Sequence, residues 1–254
     1  MIDLHCHLLP GVDDGAKTVE QAVAVLRRMV AEGVRAVCLT PHLSASKVSE
    51  GPPPAHDEAF ASLLATAPPE VTLHRGAEVL LDRAFTPRAV ATRRVTLARS
   101  RFVLVEFTRL VAAGAATAAL EQVVAVGLVP LLAHPERYAV CSVPLVRHWR
   151  ERGALMQVDA TTLFHPTGRG RRARELLAEG LADVLAADNH GDSRSLAEPF
   201  ARLAAAGGTA ATQLMVTNPA AILADDVPET VAPVQVRLPL RGRLKTWLGG
   251  FRNE

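Results

Sequence analysis

Short apolar runs recur along the chain, and each stops at a His, an Asp or a Glu. MIDLHCH opens with His5 and His7. VRAVCLT then runs into Pro41 and His42, VTLHRGA into Glu78, FVLV into Glu106, VPLLA into His134, and ADVLAA into Asp188 and His190. Continuous Val/Ile/Leu/Ala runs of this length are the pattern of strands buried on both faces, as in a parallel sheet. Helix-period segments separate them. Thr18 and Gln21 fit a capping box for a helix through about Glu32, with Val19, Ala22, Val23, Leu26 and Val30 on one face and Gly33 as its stop. Further helices are predicted at about 56–67, 114–126, 144–153 and 169–180, then at 195–206 and 218–224. Residues 44–55 (SASKVSEGPPPA) are predicted as a loop, because their Pro cluster disfavours helix and strand. Following His42 directly, that loop should overhang whatever His42 belongs to.

Strands alternating with helices at this spacing predict a parallel sheet. About seven strands in 254 residues predict a single α/β barrel short of the usual eight. In such a barrel the carboxyl ends of the strands converge on one face. The terminal His, Asp and Glu residues, with Asp14 from the turn PGVDDG, would therefore meet at one mouth as nine candidate metal ligands.

Composition narrows the class. Apolar residues make up 49% of the chain and aromatics 4%, so the core must be built from Ala, Leu and Val. The formal charge of +2 offers no global attraction to nucleic acid. Cys6, Cys38 and Cys141 are odd in number and widely spaced, which suits a reducing cytoplasm better than a disulfide scaffold. Neither a basic, apolar leader nor an 18-residue apolar run is visible, so no signal peptide or membrane span is expected. The barrel is expected over 1–236. A tail at 237–254 interleaves Arg237, Arg241, Arg243, Lys245 and Arg252 with Leu240, Leu244, Trp247, Leu248 and Phe251. That composition suits peripheral contact with an anionic membrane or a partner's groove, or else its apolar residues cap the lower face of the barrel.

His5 and His7, at i and i+2 on a strand, point to the same face while Cys6 points to the other. An isolated HxH can equally be two half-buried strand histidines, but five histidines and four carboxylates all placed at strand ends argue against accident. Mixed imidazole and carboxylate ligands suit Mn, Fe or Zn better than Ca or Mg. Three such ions would bring six positive charges against four from Asp14, Glu78, Glu106 and Asp188. The remaining positive charge suits an anionic ester, with a phosphate monoester as the first candidate. Arg137, three residues after His134, and Arg194, four after His190, are placed to reach a phosphate oxygen with a guanidinium fork. A surface salt bridge is the alternative for either. Glu136 is expected to be structural. Val12 stands six positions after Cys6, where a cysteine-based phosphatase would carry Arg, and neither Cys38 nor Cys141 is followed by a phosphate-cradling loop, so a thiol nucleophile is not expected, and neither GxxxxGK[ST] nor GxGxxG follows a strand. His56, His74, His148 and His165 lack strand-end placement and are left as structural or exposed.

These residues in this order resemble the polymerase and histidinol phosphatase (PHP) superfamily, and within it the bacterial protein-tyrosine-phosphatase branch of capsule and exopolysaccharide operons. MIDLHCHLLPGVDDG, TPH, GAEV, VEF, AHPERY, AADNH and TNPAAIL carry the resemblance across residues 1–223. It implies a distorted TIM-like (β/α)7 barrel with three divalent ions, Mn first and Fe or Zn as alternatives. By motif position His5, His7, Glu78 and Asp188 would hold one ion. Glu78 would bridge to a second, held also by Glu106 and His134, and Asp14, His42 and His190 would hold the third. The resemblance further implies hydrolysis of phosphotyrosine by a metal-bound hydroxide, with Arg137 and Arg194 on the phosphate and a tyrosine autokinase as protein partner. The segment TPHLSASKVSEGPPP departs from its relatives, which continue with a second His or basic residues and a Gly, so selection at that rim is open. Two other functions compete: a small-molecule phosphatase for histidinol phosphate or a nucleotide, and a non-catalytic PHP module of a DNA-processing assembly.

Overall fold

The computed structural model describes residues 1–48, 51–85 and 93–238. Among these residues nine parallel strands form two hydrogen-bonded sheets. Strands β1 (Ile2–Cys6), β2 (Ala36–Leu39) and β4 (Thr72–Arg75) make one. Strands β3 (His42–Ser44), β5 (Glu78–Leu80), β6 (Phe102–Glu106), β7 (Val129–Ala133), β8 (Leu155–Asp159) and β9 (Val184–Ala186) make the other. The nine reduce to seven courses of chain, because β3 continues β2 past Thr40 and Pro41 while β5 continues β4 past Gly76 and Ala77. Both broken strands stay paired across the gap, with β2 on β4 below and β3 on β5 above. On the other side, the amide of His7 donates to Asn189 O at 2.7 Å and Cys6 bridges Asn189, which joins the course of β9 to that of β1. The seven-course ring expected from the sequence is thus formed, bent at two breaks.

The breaks are local. Pro41 lacks the amide that would continue the ladder, and Gly76 tolerates the crowding because a Cβ there would meet Leu97 Cδ2 at 2.9 Å and Cys38 Sγ at 3.0 Å. The described residues of the 44–55 segment are more ordered than the sequence suggests. Ser44 still pairs with Leu80, α2 (Ala45–Val48) follows at once, and α3 (Pro54–Leu64) begins at its own proline. Strand β3 exists because β5 offers it an edge, which no local propensity reports.

Alternation within each strand separates two apolar layers. Phe102 and Leu104 of β6 and Leu131 and Ala133 of β7 pack with Leu4 and Val184 inside the ring, below the mouth. Val103, Val105 and Leu132 face outward against α4 (Ala113–Ala125), α5 (Val143–Glu151) and α6 (Gly168–Ala178). Helix α1 (Val19–Ala31) buries Ala22, Val23, Val25, Leu26 and Met29, so its inner face is rotated slightly from the one expected and Val19 and Val30 lie at its margin. Cys6 joins that outer cluster on the far side of β1 from the histidines. A helix α7 (Ala197–Ala205) follows β9. Short helices α8 (Ala210–Thr212) and α9 (Asn218–Leu223) then flank a π-helical turn at Gln213–Thr217 that the sequence reading did not anticipate. Asn218 of the TNPAAIL motif is structural: its side chain donates to Asp183 O and Glu229 O and accepts from the Glu229 amide. Beyond it the chain runs along α6, with Val231 buried and the Val234 amide on Leu177 O. Of the basic tail, only Arg237 and Leu238 are among the described residues.

Candidate metal centre

The nine strand-end residues come together at one mouth, above the apolar interior. His5 and His7 leave β1, His42 begins β3, Glu78 begins β5 and Glu106 ends β6. His134 follows β7, and Asp188 and His190 follow β9. The turn after β1 supplies Asp14, and it depends on Gly15, where a Cβ would lie 1.8 Å from His7 O. His134 (φ 36°) and Asp188 (φ 48°) adopt left-handed backbone conformations that side chains other than Gly rarely take. Such backbone costs on the order of 1 kcal/mol or more and persists where the surroundings impose it, characteristically at functional sites.

At the centre lie four ligand atoms. His5 Nε2 is 3.1 Å from His7 Nε2 and 3.2 Å from both Glu78 Oε2 and Asp188 Oδ1. His7 Nε2 is 3.3 and 3.4 Å from the same two oxygens. Ligands at about 2.0–2.1 Å around one tetrahedral ion stand about 3.3–3.4 Å apart, so this frame has the size of a divalent site. Glu78 Oε2 and Asp188 Oδ1 are buried without a hydrogen-bond partner even though imidazole nitrogens surround them. These atoms are arranged around a common point rather than along donor–acceptor lines. Leaving two buried carboxylate oxygens unbonded is costly unless a cation sits between them.

Neighbouring residues orient the rings. His5 Nδ1–H donates to Gln157 Oε1 at 2.8 Å, His7 Nδ1–H to Asp13 Oδ2 at 2.8 Å, and His190 Nδ1–H to Asp188 O at 2.9 Å. Each bond leaves the Nε2 lone pair aimed at the mouth, as metal-ligating histidines require. A second group joins His7, Asp14, His42 and His190, and a third His42, Glu78 and Glu106, with ligand atoms within 4.8 Å of one another in each. His134 Nε2 lies 2.9 Å from Glu78 Oε1. The grouping differs in detail from the one the motifs imply. The His42 ring spans two centres, with Nδ1 3.1 Å from Glu78 and Nε2 3.4 Å from Asp14, and His7 stands near two groups.

The electrostatics express a demand for positive charge. Burial favours protonation of Glu78, but His5, His134 and His42 overcome it and hold the carboxyl well below the usual range. Burial likewise disfavours a charged His42, yet Glu106 and Glu78 hold its ring up to about 10. Asp13, despite burial, is held at about 2 by His7 and by the amides of Gly15 and His42. Arg137 donates to Asp159 Oδ2 at 3.0 Å and also to Asp188, while Arg194 reaches Asp188 Oδ2 at 3.3 Å and Asp192 at 2.9 Å. The two guanidinium groups therefore flank the β9 side of the centre, each tied to a carboxylate that steers it.

Several residues here escaped the sequence reading. Asp159 ends β8 just as Glu106 ends β6, and the rule that found the ligands could have found it. Asp13 was overshadowed by Asp14: in VDDG, Asp13 is the nearly buried residue and Asp14 the 68% exposed one. Glu136, which the sequence reading expects to be structural, is fully buried and accepts the Asp159 amide at 3.0 Å, and burial with the nearby Asp159 carboxylate pushes its carboxyl up to about 8. Tyr138 OH donates to Ala133 O and accepts from the Phe107 amide, which braces the HPERY turn. Helix α1 grips the loop carrying His190 and Arg194: Gln21 donates to Gly191 O and Arg28 to Asp192 O. Among the four histidines set aside, His56 is buried and lines a cleft beside His42.

A parallel α/β barrel with a cluster of His, Asp and Glu side chains gathered at one mouth defines the class, and known proteins agree at the level of fold. A phosphotriesterase from Mycobacterium tuberculosis superposes with a TM-score of 0.53 at 12% identity, covering 87% of this chain and 93% of that one. The chain belongs to the CpsB/CapC family of capsular polysaccharide synthesis, whose family model matches residues 1–224. Within it, the tyrosine-protein phosphatase CpsB of Streptococcus pneumoniae is 28% identical over 243 residues, covering 89% of this chain and all of that one. The tyrosine-protein phosphatase YwqE of Bacillus subtilis is 26% identical over 196 residues, 75% of this chain and 77% of its own. A crystal structure from work on YwqE and CpsB, described as metal-dependent tyrosine phosphatases, superposes with a TM-score of 0.75 at 23% identity. It covers 93% of this chain and all of that one.

Proposed function

We propose that this chain is a metal-dependent phosphomonoesterase that removes phosphate from tyrosine in proteins. The observation that carries the reading is the central frame of His5, His7, Glu78 and Asp188, with two carboxylate oxygens that lack a partner and two arginines converging on one of those carboxylates. Relatives named tyrosine-protein phosphatases, similar over most of their length, support the substrate class.

The ligand set fits three divalent ions, with Mn first and Fe or Zn as alternatives: His5, His7, Glu78 and Asp188 at the centre, Glu78, Glu106 and His134 on one side, and Asp14, His42 and His190 on the other. Such ions, when bound, lower the pKa of water and stabilise the attacking and leaving oxygens of an in-line displacement. The rest falls to the chain. Arg137 and Arg194 meet the non-bridging phosphate oxygens, whose charge must be matched by fixed donors as the ester bond opens. Asp159 and Asp192 hold those guanidinium groups in place. Gln157 and Asp13 keep His5 and His7 in the tautomers that face the site. Tyrosinate, with a pKa of about 10, leaves without a strong general acid.

The natural protein partner is a phosphotyrosine protein, with a tyrosine autokinase of polysaccharide export as the first candidate, and nucleic acid is not one. The compartment is the cytoplasm, where the three free cysteines would stay reduced. Among the described residues no helix is long and apolar enough to cross a membrane, and peripheral membrane contact is assigned to the basic tail. The test compares turnover of a phosphotyrosine peptide, histidinol phosphate and a nucleotide monophosphate with Mn, Fe or Zn supplied. Faster turnover of the phosphopeptide, abolished by chelator, is expected. Preference for histidinol phosphate or the nucleotide would move the chain to the small-molecule reading, and no turnover with any metal would leave the non-catalytic one.

A further inference from the structure

The ring of strands gives the site two sides. Arg137 and Arg194 follow β7 and β9 and converge on Asp188. Opposite them, a cleft of about 430 Å³ opens beside β3, β5 and β6, walled by Val12, Leu43, Pro53 and Leu80 and reaching His42 and Glu106. Its floor has a definite register. His42 pairs with Glu78, and one step further out Ser44 pairs with Leu80 and Leu80 with Glu106. Leu80 stands two residues beyond Glu78 on β5, so both point into the mouth. An apolar side chain thus occupies a row whose neighbour, Glu106, is a candidate ligand.

We infer that this cleft is the aryl slot of the enzyme, holding the tyrosyl ring of a phosphotyrosine against Leu80, Val12 and Pro53 and so selecting aryl over alkyl phosphate monoesters. The inference deepens the phosphotyrosine reading and rests on it. A phosphate held between the central frame and the two arginines has its ester oxygen directed away from the guanidinium groups, toward the side where the cleft lies. The cleft is continuous with the ligand row and large enough for a phenyl ring, and it sets the apolar surfaces of Val12, Leu43, Pro53 and Leu80 beside the polar groups of Ser44, Lys47 and His56. Depth adds to the selection. Glu78 and His5 are essentially inaccessible, and a phosphate carried at the end of a tyrosine reaches further from its backbone than one carried on a serine. Ser44, Lys47 and Pro53 of the lining come from the part of the chain that departs from its resemblance to the family.

Binding of benzylphosphonate and propylphosphonate to the metal-loaded protein separates ring recognition from leaving-group chemistry, since neither is hydrolysed. The wild type is expected to bind the benzyl compound roughly tenfold more tightly, a preference within the range of one buried ring. Leu80→Ala should reduce that preference severalfold while propylphosphonate binding stays unchanged. Ser44→Trp, which fills the cleft from the adjacent strand, should remove it and lower kcat/KM for an aryl phosphate. Phe164→Ala tests the cavity on the Arg194 side and should leave the preference intact. Equal binding of both phosphonates by the wild type, or a preference lost in Phe164→Ala and kept in both cleft variants, would overturn the slot while leaving the phosphatase reading in place. Absence of binding by either phosphonate, with no turnover of an aryl phosphate, would overturn both.

Discussion

Glu78 shows how one side chain organises a site. It is 1% exposed, its Oε2 faces His5, His7 and His42, and its Oε1 faces His134. His134 satisfies Oε1, but Oε2 has no hydrogen-bond partner although three imidazoles face it, an arrangement that suits a cation between them. Arg137 acts differently, since it touches carboxylates and not the central frame's nitrogens. Arg137→Ala should therefore lower turnover of an aryl phosphate by about a hundredfold or more, the usual effect of losing one charge-stabilising donor, with metal content unchanged by elemental analysis. A variant that keeps its metals and near-normal turnover would make Arg137 structural. The cysteines are inert for a physical reason. Burial pushes the Cys38 and Cys141 thiols up to about 12 and Cys6 well above its ordinary value. At pH 8 the native protein should react with a thiol reagent at none of the three, and all should react after unfolding. Cys6→Ser should keep most activity, and rapid native labelling together with inactivation would reverse this.

At the scale of elements, the site is held by turns and clamps more than by strands. The β1–α1 turn folds back so tightly that Gly15 has no room for a side chain, with backbone atoms of His7 as the obstacle. Gly15→Ala should cost about 3 kcal/mol or more, at the upper end of overpacking effects because backbone cannot step aside. Urea unfolding measures that loss, and metal content should fall with it because Asp13 and Asp14 share the turn. Helix α1 shows a capping arrangement that differs from its sequence signature. Thr18 accepts the Gln21 amide as a capping box requires, but the Gln21 side chain accepts the Lys17 amide and donates to Gly191 O. Its second function is to tie the helix to the loop that carries His190.

For the whole molecule, metal binding and folding are one equilibrium. A cluster of ligands drawn from β1, β3, β5, β6, β7 and β9 ties most of the ring together, so bound ions should stabilise the fold. At a hundredfold excess over Kd each ion adds about 2.7 kcal/mol, and a domain of this size gains roughly 2–4 °C per kcal/mol, so the three ions proposed above should raise Tm by about 15 °C or more. Calorimetry with and without chelator measures this, and a Tm that ignores metal would contradict a shared polynuclear site. Deleting residues 237–254 should spare turnover of a small aryl phosphate and weaken binding to anionic vesicles or to a partner kinase. Insolubility of that truncation would show that the tail covers the barrel instead.

The strand runs, most of the helices and all nine candidate ligands were legible in the sequence, because buried parallel strands must be apolar throughout and a polar residue at their ends is conspicuous against that background. Less legible was everything that depends on neighbours distant in sequence. Strands β3 and β5 exist through each other, His42 spans two groups because Glu78 approaches it from β5 and Asp14 from the turn after β1, and the roles of Asp13 and Asp14 are separated only by burial. Gln157, Asp159 and Arg28 are ordinary residues in their own segments. They acquire functions at His5, Arg137 and the His190 loop only when the ring closes. Local pattern determined which atoms can bind an ion, since residue type and strand position are properties of the chain itself. Which of those atoms meet, and which sides of the mouth hold arginines and apolar walls, was decided by tertiary packing, because angles and distances between strands are set by contacts no single segment contains.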